Sequence, residues 1–178
     1  LSLFTYEIDI WGRLRRATES ARAQLLASDW NRKTVITTLV SDVATAYFNL
    51  LEQDMELAIA RNTLRTREES LRLIRTQLQG GVGTLLDVRQ GEQLVYGAAQ
   101  SVPSTEQQIE QTENQISLLL GKNPGPVTRG RVLTEQQTPP EVPAGLPSSL
   151  LERRPDIQAA EQILIATNAN IGVAKAAY

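Results

Sequence analysis

The sequence contains neither cysteine nor histidine. That removes thiol nucleophiles, imidazole bases, disulfide frameworks and zinc sites of the Cys/His type together. A chain without cysteine also fits an oxidising compartment such as the periplasm. Aromatic residues make up only 4% of the chain, so large aromatic anchors do not organise its core. The 18 basic and 20 acidic residues leave a net charge of -2, without the basic excess that a nucleic-acid partner calls for. No uninterrupted apolar run approaches the roughly 20 residues of a spanning helix. Nor does a basic-then-apolar leader follow Leu1, so the chain reads as an interior piece of a longer protein. Carboxylates are plentiful but unpaired around any evident pocket, and the GGVG run at 80–83 follows no strand, as a phosphate loop would. No enzyme, metal site or cofactor is expected.

What the sequence does have is helix. LSLFTYEIDI, residues 1–10, alternates apolar and polar side chains and reads as the end of a strand. From Trp11 to Gln79 there is no proline and a single glycine, Gly12, while Ala, Leu, Arg, Glu and Gln dominate. A helix of that length extends roughly 100 Å at about 1.5 Å per residue, too long for the inside of a compact globule. Along it Ile36, Val43, Leu50, Leu57, Leu64, Leu71 and Leu78 recur every seventh residue. A 3.5-residue period faces a partner continuously only if the helices supercoil, so the series predicts a coiled-coil seam. The positions three residues on are mixed, which suits a helix with neighbours on two sides.

Gly80, Gly81 and Gly83 break the pattern, and Gly81 and Gly83 are expected to take backbone angles that other residues reach only with strain. A second helix is predicted from about Thr84 to Leu120, with Val88, Val95, Val102, Ile109 and Ile116 on one seam beside small residues. The two segments form one antiparallel hairpin with its tip at 80–87. Pro103, inside the second helix, predicts a kink or one broken turn without a reversal. Residues 121–155 hold seven of the eight prolines and read as an extended connector with at most a short helix capped by Ser148. From Asp156 to Tyr178 a third helix follows, with Ile157, Leu164, Ile171 and Tyr178 as its predicted seam. The fold class is mainly all-α: a long antiparallel coiled-coil hairpin, a third helix, a Pro-rich connector and an N-terminal strand remnant.

Three segments then carry a resemblance. The stretch 142–178 contains Gly145-Leu146-Pro147-Ser148, Arg153 to Ile157 and the helix end Ile171 to Tyr178. Tyr6 to Arg13 reads as a strand-to-helix junction, and Gly81-Val82-Gly83-Thr84-Leu85-Leu86-Asp87-Val88 as a hairpin tip. In their order along the chain they resemble the TolC-like outer-membrane factors of tripartite efflux pumps, in the OprM-like or NodT-like lipoprotein branch. Pro103 and the Gly91-Glu92 pair depart from the usual helix of that family. The resemblance implies a homotrimer whose subunits share one outer-membrane barrel and one periplasmic tunnel, with an equatorial belt at mid-height. It places 1–10 at a barrel strand, 11–120 in the periplasmic hairpin, 121–155 in the equatorial connector and 156–178 at the start of the second repeat. The barrel, the lipidated cysteine and a second hairpin would then lie outside this chain.

The resemblance further implies that Gly80, Gly81, Val82, Gly83, Thr84, Leu85 and Leu86 contact the periplasmic adaptor, which joins the channel to an inner-membrane transporter. Asp87 matches an acidic tip residue that helps hold the tunnel end closed. Read from the residues alone, the glycines make a turn and Asp87 complements a helix N-terminus. Arg61, Arg65, Arg72 and Arg75, interleaved with Glu68 and Glu69, read as a solvated, ion-paired face. The alternative function is a periplasmic adaptor or another coiled-coil spacer, which would flank its hairpin with lipoyl-like and β-barrel segments.

Overall fold

The fold is taken from a computed structural model that describes residues 8–137, 140 and 148–176. Three helices account for most of it: α1, Arg13–Gln79; α2, Leu85–Leu119; and α3, Pro155–Lys175. The described residues fall into two units, one holding residues up to Leu39 together with α3, the other running from Val40 to the connector.

Residues 1–7 of the expected strand lie outside the described residues, and 8–10 are not a strand. A strand end needs a neighbour for its amides, whereas here the chain prepares a helix. The Asp9 carboxylate accepts from the Leu14 N–H at 3.1 Å and the Arg15 N–H at 2.9 Å. Two of the four amides left over at a helix start are thereby satisfied. Gly12, at φ 78°, supplies the left-handed step that lets the chain turn into α1.

In this first unit α3 runs antiparallel to the start of α1. Gly172 packs on the Arg16 side chain, and Gln162 and Ile165 share a groove with Ala23 and Leu26. The buried residues are small: Ser20, Ala23 and Ala27 of α1, and Ala159, Ala166 and Ala169 of α3. This corrects the predicted α3 seam. Leu164 and Ile171 are 69% and 52% exposed, and Tyr178 lies outside the described residues. Small residues let two backbones approach closely, so they claim the contact and push the large apolar residues to the outer faces. Pro155 opens α3 at its first position, where its missing N–H costs nothing, and Arg154 pairs with Asp156 at 2.6 Å.

In the second unit, α1 from Val40 and α2 form the antiparallel hairpin. Arg75 bonds Glu92 at 2.8 Å, and Arg61 bonds Glu106 at 2.7 Å across the pair. Ala46, Leu50, Ile109 and Ile116 form the core cluster, with Leu57 and Leu119 packed on it. Leu71 and Val88 are buried nearer the tip. Of the α1 seam, Leu50 and Leu71 are buried, Val43, Leu57, Leu64 and Leu78 are half-buried, and Ile36 is 48% exposed. Gly91 sits at a close crossing: a Cβ there would stand 3.0 Å from Leu71 Cδ1 and 3.3 Å from Ile74 Cδ1, so a larger residue requires those side-chain ends to shift by a few tenths of an ångström.

α2 is continuously helical from Leu85 through Leu119, so of the two outcomes expected at Pro103, a kink or a broken turn, the broken turn is absent, and the chain does not reverse there. Proline's fixed φ is itself helical, and the loss falls on the Ala99 carbonyl, which has no N–H at position 103 to accept. After α2, Gly121 at φ 65° ends the helix, with Lys122 N–H donating to the Ser117 carbonyl at 2.9 Å. The connector that follows is tied down by Arg129. Its guanidinium holds Asp54 at 2.9 and 3.2 Å and also binds Glu113, while the Val127 N–H donates to Glu113 at 3.0 Å. The Gly130 N–H donates to Tyr47 Oη at 2.9 Å. Further on, short 3-10 turns cover Leu133–Glu135 and Ser148–Arg153, so Ser148 is the first residue of its turn and does not precede it as a cap.

Candidate functional site at the hairpin tip

The tip is built by two helix ends. At the end of α1 the Val82 N–H donates to the Gln77 carbonyl and the Gly81 N–H to the Leu78 carbonyl, each at 3.0 Å. This paired closure requires a left-handed residue, and Gly81 supplies it at φ 76°. Gly83 differs from expectation, because its φ is not left-handed. Its constraint is space: a Cβ would meet the Leu78 backbone nitrogen at 3.0 Å and the Gln77 carbonyl carbon at 3.2 Å. Gly80 has only ordinary contacts.

α2 starts with a reciprocal cap. Thr84 Oγ1 accepts from the Asp87 N–H at 3.2 Å, and Asp87 Oδ2 accepts from the Thr84 N–H at 2.9 Å and from its hydroxyl at 2.6 Å. The Thr84 hydroxyl, and then its amide, hold the Asp87 pKa below the ordinary carboxylate value. The apolar residues of the turn face outward: Val82 is 85% exposed, Leu85 59% and Leu86 65%. The tip is thus an apolar knob on a rigid turn. Just behind it Glu92 receives Arg75 and Arg89, each at 2.8 Å, and those two hydrogen bonds lower its pKa.

Of the arginine face, Arg65 pairs with Glu69 at 3.1 Å along α1, while Arg61 and Arg75 reach across to α2. Part of the face therefore fastens the hairpin. Among the described residues no group of His, Cys, Asp or Glu is placed to hold a metal ion. Asp87 was expected at a helix start, but neither its pairing with Thr84, which the T-x-x-D spacing could have signalled, nor the Arg129 cluster was foreseen. Its acidic members lie 75 and 16 positions from Arg129, and no local pattern joins them.

The family profile of outer membrane efflux proteins matches residues 2–122. The chain belongs to that family. Nothing in the match supports the adaptor alternative, and the family's proteins reside in the outer membrane with their helical portion in the periplasm. The toluene efflux pump outer membrane protein TtgC of Pseudomonas putida is 40% identical over 179 residues, 100% of this chain and 37% of that protein. The outer-membrane channel OprN superposes with a TM-score of 0.87 at 34% identity, over 96% of this chain and 39% of that one. The open-state MtrE channel of Neisseria gonorrhoeae gives 0.84 at 35% identity, over 97% and 39%. This efflux-family chain therefore spans well under half the length of each.

Proposed function

We propose that this chain is part of the outer-membrane channel of a tripartite efflux pump, lining the periplasmic tunnel through which drugs or other small molecules leave the cell. The observation that carries the reading is 40% identity across the whole chain to an efflux pump outer membrane protein. The assembled protein is a homotrimer. Val35, Val40 and Phe48 are exposed along α1, and helices of neighbouring subunits would cover them.

The tip residues Gly80, Gly81, Val82, Gly83, Thr84, Leu85 and Leu86 contact the periplasmic adaptor, through which the channel works with an inner-membrane transporter. Val82, Leu85 and Leu86 supply the apolar contact, and the glycines and Thr84 hold the turn that presents it. Asp87 closes the α2 cap and is the gating candidate: both Thr84 bonds fall on Oδ2, leaving Oδ1 for a donor from a neighbouring hairpin.

The test is export by the full-length protein in a cell deleted for its own channel. Wild type restores export, and Leu85→Asp loses it while helicity and trimer formation persist. Export by Leu85→Asp at the wild-type rate removes the tip from the mechanism.

A further inference from the structure

The hairpin is packed at both ends and loosely in between. Near the tip Leu71, Val88 and Gly91 are buried, and toward the connector Ala46, Leu50, Leu51, Ile109, Thr112 and Ile116 are buried. No described residue of 92–108 on α2, and none of 52–70 on α1, is buried. The ion pair Arg61–Glu106, with side chains 60% and 45% exposed, crosses this stretch in water and holds it weakly. Within the same stretch stand two of the three poorest helix formers of α2, the third being Gly91 at its tip-side border. Gly97 has open space around it, and Pro103 withholds the N–H that the Ala99 carbonyl would accept. On α1 across from them there is neither glycine nor proline.

We propose that residues 97–103 of α2 are a bending joint, which opens locally while α1 stays helical and lets the tip swing against the half of the hairpin fixed by Arg129. Weak propensity and thin packing coincide there, and local opening is drawn from such segments. The joint stands whether or not the tip touches an adaptor, because it is read on the protein alone.

Hydrogen exchange on the purified protein tests it. Amides of 99–107 exchange at least about tenfold faster than those of 110–117. Pro103→Ala restores the missing bond and slows that window by about tenfold, and Gly97→Ala, whose Cβ meets nothing, slows it by less. Equal protection of the two windows in wild type, or unchanged exchange in Pro103→Ala, overturns the joint.

Discussion

At the tip Gly81 and Gly83 answer to different physical demands and Gly80 to neither, and substitution separates them. Gly81→Ala places a side chain at φ 76° and costs about 1–2 kcal/mol. Gly80→Ala fits its ordinary contacts and is neutral or stabilises by about 0.4–1 kcal/mol, because it restricts the unfolded chain. Denaturant unfolding of the two variants checks the contrast. Gly83→Ala must push backbone, so a charged residue at 83 reports on the turn before it reports on any partner. Asp87 adds a pH dependence. Its folded pKa lies below the ordinary value, so its capping contribution is complete above the ordinary carboxylate range, near pH ~4, and is lost as pH falls through the folded value. Amides at the start of α2 should exchange faster as that titration proceeds. Asp87→Asn should remove the pH dependence, and a profile shared by both proteins would place the titration elsewhere.

The helices were legible where one period governs a long stretch. From Val43 to Leu78, and from Val88 to Ile116, large or branched residues recur at the contact, so counting by sevens finds the seam. In α3 the same count selects Leu164 and Ile171, yet the contact belongs to Ala159, Ala166 and Ala169. Size misleads where close approach is the stabilising feature. The Arg129 clamp was illegible for another reason: Asp54, Glu113 and Arg129 share no period and meet only after the hairpin has closed. Hydrogen bonds to Asp54, joined by Glu113 and opposed by desolvation, raise the Arg129 pKa, so the guanidinium stays charged at every working pH. Arg129→Met leaves two carboxylates without their cation, and the Val127 and Gly130 amides should exchange at least about tenfold faster. In the seam, Leu50→Ala should lower stability by about 2–5 kcal/mol, since Leu50 is fully buried. Leu73→Ala, on an exposed position, should stay within about 0.5 kcal/mol. Equal melting shifts for the two would contradict the seam.

Across the whole molecule the exposed residues carry the functional reading. Val35, Val40, Phe48, Leu164 and Ile171 leave apolar faces uncovered on both long and short helices, the faces that neighbouring subunits cover in the proposed trimer. At the tip the uncovered surface is smaller and stiffer: Val82, Leu85 and Leu86 project from a turn closed by the Gly81 and Thr84 hydrogen bonds. The most direct test is a photo-reactive residue placed at Val82 and, as control, at Ile59, which is also exposed but lies on the shaft. In cells carrying the full pump, the account predicts that position 82 captures the periplasmic adaptor and that position 59 captures it at least about tenfold less, given that a contact confined to the tip cannot reach about 23 residues along a helix, about 35 Å at about 1.5 Å per residue. Capture from both positions alike, or from position 59 alone, would contradict it.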